Sequence, residues 1–211
     1  MGSYSLNTDN ARQVGVSTRI SEKGAYVGTF TRAEEVAARS GATGIEFSFK
    51  TKDGQSADYL SLWATSGEGK PLYGRKVIDA IMTCMKVRQI ASQPTNVKKR
   101  DKDGEHDVSV PCFRELMGRE IGLMLVKEEY AKDDGSVGSK MVIVAPFCAG
   151  TKRTAAEVLD QAHEARSFDL MLASLRDRPL QASKTTQRRA AAAQHTNTGG
   201  GFDDMDDDIP F

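Results

Sequence analysis

Tyr59 and Trp63 are the residues whose type and spacing most directly suggest a binding chemistry. They alternate with Leu60 and Leu62 between Ala57 and Ala64, so the leucines share one face of a strand and Tyr59, Ser61 and Trp63 the other. An aromatic face left outside a core can stack on an unpaired base, at roughly 1–3 kcal/mol per base. Tyr26 and Phe30, in a second alternating stretch, are the next stacking candidates, and the pattern leaves open whether they face a ligand or fill the core. Phe47 and Phe49 alternate with Glu46, Ser48 and Lys50 and read as core. A strand of unpaired nucleotides also needs cations along its phosphates, and affinity then falls with salt. Lys50, Lys52, Lys98, Lys99 and Arg100 are the first candidates, with Arg19, Lys127 and Lys140 behind them.

A second chemistry lies at residues 199–211, Gly-Gly-Gly-Phe-Asp-Asp-Met-Asp-Asp-Asp-Ile-Pro-Phe. Five aspartates beside glycines repel one another and bury too little surface to fold alone, so this tip should be disordered when free. Ile209, Pro210 and Phe211 form a compact apolar plug ending in a carboxylate. It suits a small apolar pocket beside a basic residue. Burying one Phe contributes roughly 1.5–3 kcal/mol and a charge-assisted hydrogen bond roughly 1.5–3 kcal/mol. Ordering and association losses offset much of this, so the expected contact is weak and exchangeable.

The 29 basic and 29 acidic side chains cancel, but setting aside the five tip aspartates leaves 24 acids and a mildly basic body. Neither a Walker loop, HExxH, GxSxG nor a paired His/carboxylate cluster occurs, so an enzyme is not expected. The aspartate run lacks the fixed geometry of a metal site. Cys84, Cys112 and Cys148 are odd in number and far apart in sequence, which suggests reduced thiols rather than a disulfide framework or zinc site. No cofactor is expected. With no signal peptide and no long apolar run, the expectation is a soluble protein of the cytoplasm, without membrane contact.

These residues must be positioned by strands. Val14 to Ile20, Tyr26 to Phe30, Thr43 to Thr51, Ala57 to Ala64, Arg119 to Tyr130 and Ser139 to Phe147 alternate, with turns at Asp53-Gly54 and Asp134-Gly135. Ala33 to Arg39 reads equally as a helical turn or an irregular strand. A helix is predicted from about Tyr73 to Lys86 on the stripe Val77, Ile78, Ile81, Met82 and Met85. Gln89 to Asp107, polar and charged, reads as a mobile loop, and Cys112 to Met117 as one helical turn. Thr154 and Glu157 make a capping box, Ser167 caps a segment ending at Pro179, and the resulting hairpin should pack on the sheet or on a second copy. Five or six strands with a helix after the fourth describe a mainly β, α+β chain, and the expected fold is an OB-fold-like antiparallel barrel with an inserted helix, a C-terminal helical segment and a disordered acidic tail, although other small barrels fit the same pattern. Its parts are a barrel over 1–150, a helical extension over 151–180, a linker over 181–201 and the tip over 202–211. A linker of 21 residues reaches roughly 25 Å, which holds the tip at a local concentration on the order of millimolar. The tip aspartates are therefore expected to compete with nucleic acid for the basic groove.

The ending Asp206-Asp207-Asp208-Ile209-Pro210-Phe211 resembles the acidic tip of bacterial and phage single-stranded DNA-binding proteins. The body is similar to the phage type through Gly24-Ala25-Tyr26, Gly41-Ala42-Thr43-Gly44 and Thr154-Ala155-Ala156-Glu157-Val158-Leu159. It departs from the cellular proteins in lacking their Asn-Lys-Val opening and long Gly/Gln-rich linker, so the resemblance leaves the oligomeric state, their tetramer included, open. The resemblance implies sequence-independent binding of single-stranded DNA. It also implies recruitment of replication, recombination and repair proteins through residues 206–211, in a bacterial host cytoplasm, with a homo-oligomer as one arrangement. The alternative is an adaptor that docks through the tip without binding DNA. Oligo(dT) quenching of Trp63, the single tryptophan, separates the two.

Overall fold

The computed structural model describes residues 4–8, 18–101 and 104–180. Seven strands run through them: β1 (Gly24–Ala37), β2 (Thr43–Thr51), β3 (Ser56–Thr65), β4 (Ser92–Asp101), β5 (Gly104–Phe113), β6 (Glu120–Ala131) and β7 (Val137–Phe147). Three helices accompany them: α1 (Tyr73–Cys84), α2 (Ala155–Leu159) and α3 (Phe168–Ser174). The architecture is mainly antiparallel β with few helices, in keeping with an α+β chain.

The sheet turns on β1, whose length lets it serve two partners. Gly24 to Thr29 pair with β6, and Gly28 to Ala37 pair with β2. The hand-over falls at Gly28, where a Cβ would overlap the Lys50 carbonyl, so only glycine lets the two backbones approach this closely. A register shift follows between Phe30 and Arg32, and such an irregularity bends a strand. Hydrogen-bonded neighbours run β3–β2–β1–β6–β7, while the β4–β5 hairpin joins β1 at Glu34 opposite Cys112. β3 and β7 lie beside each other with no ladder between them, which leaves the sheet open along that seam.

The alternation read from β2 and β3 sets the core. Ile45, Phe47, Phe49, Leu60 and Leu62 are buried. Phe30 joins them, its ring 4.3 Å from that of Phe47 and 5.9 Å from that of Phe49. Helix α1 covers this core with Val77, Ile78 and Ile81, as its stripe requires. A second apolar cluster lies around Met124, Val126 and Phe147, and Phe168 and Leu175 from the C-terminal segment close it. Neighbouring residues on a strand face opposite ways, so β6 feeds Leu123 and Leu125 to one cluster and Met124 and Val126 to the other.

Several expectations are corrected. Gln89 to Asp107 is not a loop: Ser92 to Asp101 pair residue by residue with Phe113 to Gly104. In β4 Val97 is the one aliphatic side chain, so no apolar alternation advertises that strand, whereas in β5 Val108, Val110 and Cys112 alternate with Asp107, Ser109 and Pro111 and turn inward. Pro94 faces Pro111, and neither has an N–H for the ladder. The strand count is therefore seven, and α1 follows the third described strand rather than the fourth. Ala33 to Ala37 continue β1 as strand. Cys112 and Phe113 belong to β5, and the helical turn is the short 3-10 segment Arg114–Leu116. Most of Val14 to Ile20 lies outside the described residues, and Arg19 makes an isolated bridge to Ser56. The Thr154–Glu157 capping box forms, but α2 ends at Leu159. Ser167 stands at the start of α3 without a side-chain cap bond, and its N–H instead donates to Glu157 Oε1 over 2.8 Å. The linker over 181–201 and the tip over 202–211 lie outside the described residues.

Candidate nucleic-acid interface

The outer face of β3 carries Tyr59 and Trp63, as the alternation predicts, at 60% and 37% exposure. Tyr59 sits in a bulge. Between Phe47↔Leu60 and Phe49↔Ala57, β3 advances three residues while β2 advances two. Tyr59 absorbs the mismatch at a φ of 60°, a left-handed conformation costing a non-glycine residue about 1–2 kcal/mol. Beneath its ring, 6.0 Å from the centroid, lies the Arg32 guanidinium. Arg32 is buried and forked between Glu34 Oε2 at 2.9 Å and Glu46 Oε1 at 2.8 Å. The Ser61 hydroxyl donates to the other Glu46 oxygen over 3.3 Å. One cation against two carboxylates cannot serve as a phosphate holder. Its effect is to fix the guanidinium on which Tyr59 rests.

Trp63 is placed by two glycines. It stands opposite Gly44, where a Cβ would strike the Leu62 carbonyl, and a Cβ on Gly74 would strike the Trp63 backbone. The first turn of α1 therefore packs directly on β3 and brings Tyr73, 69% exposed, to the same side. Tyr59, Trp63 and Tyr73 line a cleft of about 610 Å3 along the β3/β7 seam. Leu62, Val77, Val142 and Ile143 add apolar surface to its lining, and Lys140, Arg178 and Glu128 its charge. Tyr73 was missed by the sequence reading because it stands one turn before Val77, where it reads as an extension of the core stripe.

The cations of the cleft are partly engaged. Glu128 Oε1 lies 3.2 Å from Lys140 Nζ, and its Oε2 lies 3.0 Å from Arg178 Nη1. Partial burial pushes the Glu128 carboxyl up, but the hydrogen bonds and charges of Arg178 and Lys140 outweigh it and hold the group below its usual value. Arg178 reaches this place because its backbone adds to β6. Its N–H donates to the Lys127 carbonyl at 2.8 Å, and its carbonyl accepts from the Glu129 N–H at 2.9 Å. The Asp177 carboxylate takes the Lys127 N–H at 2.9 Å. Lys140 also borders an adjoining cleft of about 280 Å3 with Arg19 and Lys127, so the three second-rank cations meet there.

The first-rank cations are dispersed. Lys50 is exposed at the end of β2, and Lys98 is exposed on β4. Lys52, in the turn after β2, pairs with Glu120, and that hydrogen bond raises its pKa. None of these three lines the aromatic cleft. Lys99 and Arg100 lie on β4, not in a loop. Two stacking candidates change. Phe30 has no exposure and leaves the set, because its register directs it between Phe47 and Phe49. Tyr26 is half-buried against the core, with its hydroxyl donating to the Glu22 carbonyl at 2.7 Å. Asp206, Asp207, Asp208, Ile209, Pro210 and Phe211 lie outside the described residues.

Among the described residues no group of three or more His, Cys, Asp or Glu is placed to hold a metal. Cys84 and Cys148, distant in sequence, meet in space: the Cys148 thiol lies 3.7 Å from the Cys84 carbonyl. Burial, together with the neighbouring Cys148, pushes the Cys84 thiol up to about 12, so it keeps its proton at neutral pH. No helix among the described residues is long and apolar enough to cross a membrane. Comparison with protein-family models and with curated proteins returns no match to this chain.

Proposed function

We propose that this chain binds single-stranded DNA without regard to sequence and recruits replication, recombination and repair proteins through Asp206 to Phe211, in a bacterial host cytoplasm. The observation that carries the reading is the seam between β3 and β7. There Tyr59, Trp63 and Tyr73 are exposed beside Lys140 and Arg178, over an apolar floor. Aromatic platforms next to cations suit unpaired nucleotides, whose bases all present a π-face and whose phosphates repeat along the strand. The strand path β3–β2–β1–β6–β7, bent at Phe30 to Arg32 and with α1 following β3, supports an OB-fold-like barrel left open at its last seam. The recruiting role rests on the residue order of the tip alone.

Fluorescence titration with oligo(dT) tests the reading. Stacking on Trp63 should quench its emission, and the apparent affinity should fall as salt rises. An unchanged spectrum together with failed gel shifts would reject strand binding and leave the tip-docking adaptor.

A further inference from the structure

Resting on the reading of the aromatic cleft as a strand-binding site, we propose that Glu128 is a built-in stand-in for a strand phosphate, which an incoming strand must displace. A carboxylate and a phosphodiester each carry one negative charge on two acceptor oxygens. In the free protein one Glu128 oxygen holds Lys140 and the other holds Arg178. The Glu128 side chain is 27% exposed, against 47% for Lys140 and 54% for Arg178, so both cations stand further out than the acid between them. Each has hydrogen-bond donors to spare, since an ammonium offers three and a guanidinium five. Phosphate oxygens can therefore engage the outer donors first and then exchange with the carboxylate.

The position of the pair makes this exchange matter. Lys140 borders both the aromatic cleft and the cleft with Arg19 and Lys127. A strand whose bases rest on Tyr59, Trp63 and Tyr73 passes the Glu128 pairs before its phosphates reach Lys127 and Arg19. The Arg178 backbone is pinned to β6 on both sides, so its side chain can change partner without loss of the segment that carries it. Glu128 thus lowers affinity for the strand and raises the selectivity for ligands that bring a phosphate to both cations.

The test is Trp63 quenching by oligo(dT) at low salt for the full chain and its Glu128→Gln variant. Exposed ion pairs are weak, so the expected gain is modest, roughly two- to fivefold tighter binding that fades as salt rises. Glu68→Gln, which breaks an exposed Lys70 pair outside the cleft, should leave binding unchanged. Lys140→Gln should weaken binding more in the Glu128→Gln background than in the unsubstituted chain, because there Lys140 no longer has a carboxylate partner and keeps only the Tyr130 ring, 6.0 Å away, and a neutral amide. In the unsubstituted protein the Glu128 side-chain carboxyl carbon-13 resonance should move when oligo(dT) is added. Quenching of the unsubstituted chain with equal or weaker binding by a folded Glu128→Gln variant, or a stationary carboxyl resonance, would overturn the stand-in while leaving strand binding in place. Absence of quenching in the unsubstituted chain would overturn both.

Discussion

Replacing Arg32 with Met should be among the most costly single changes on the outer face of the sheet. The guanidinium, with its side chain 9% exposed, pairs with both Glu34 and Glu46, whose side chains are 11% and 21% exposed, and offsets one of their two charges. Removing one partner of a buried pair leaves an uncompensated charge, at about 3–5 kcal/mol. Glu46 can recover some hydration, so a loss of about 2–4 kcal/mol is expected. For a chain of this size that corresponds to a melting temperature lower by about 5–15 °C. Thermal and urea unfolding measure it. The triple variant Arg32→Met, Glu34→Gln, Glu46→Gln separates charge from packing, because it removes the stranded carboxylates while keeping similar volume. It should regain most of the lost stability. Yet it should not regain full affinity for oligo(dT), since Tyr59 has lost the cation beneath its ring. A single variant that melts within 2 °C of the parent, or a triple variant no better than the single one, would refute this account of the triad.

Alanine at Tyr59, Trp63 or Tyr73 should each lose roughly 1–3 kcal/mol of oligo(dT) binding, about 5- to 150-fold, with little change in melting; polarisation with labelled oligo(dT) reads all three. Phe30→Ala should behave oppositely, losing about 3–5 kcal/mol of stability in urea unfolding, because it empties the site between Phe47 and Phe49. Deleting residues 202–211 should tighten oligo(dT) binding at low salt and have no effect at high salt, and equal affinities at every salt concentration would reject competition by the tip. Glu157 carries an acid dependence. The Thr154 N–H, joined by Ser167 and opposed by partial burial, lowers its pKa from 4.5 to about 2. Because the folded value lies below the unfolded one, its contribution is fully present above about pH 5 and is lost as pH falls toward 2. The stability gap between the parent and Glu157→Gln should close over that window in urea titrations.

Much of the core was legible in the sequence because side-chain direction along a strand has period two. That rule puts Phe47 with Phe49, Leu60 with Leu62, and Tyr59 with Trp63 on shared faces, and the apolar character of the first two faces marks them as the ones the structure buries. Helical spacing likewise places Val77, Ile78 and Ile81, and the order Thr154 to Glu157 writes a helix start in four residues. The same rule is silent along β4, where Val97 is the one aliphatic side chain, so that strand was hidden inside an expected loop; the short alternation Val108, Val110 and Cys112 in β5 was the signal that could have found its partner. It also cannot assign Phe30, because alternation says which residues share a face and not which face is covered.

The cleft itself belongs to tertiary structure. Tyr59, Tyr73, Lys140 and Arg178 come from β3, α1, β7 and the segment laid on β6, and only the return of β7 to the side of β3 brings them together. The ranking of cations changed for the same reason. The run Lys98-Lys99-Arg100 is conspicuous in sequence, whereas Arg19, Lys127 and Lys140 are scattered in sequence yet border one cleft. Local sequence sets where each side chain points along its own strand. Which strands become neighbours depends on burying the shared apolar faces, and that long-range choice determines which charges and rings meet.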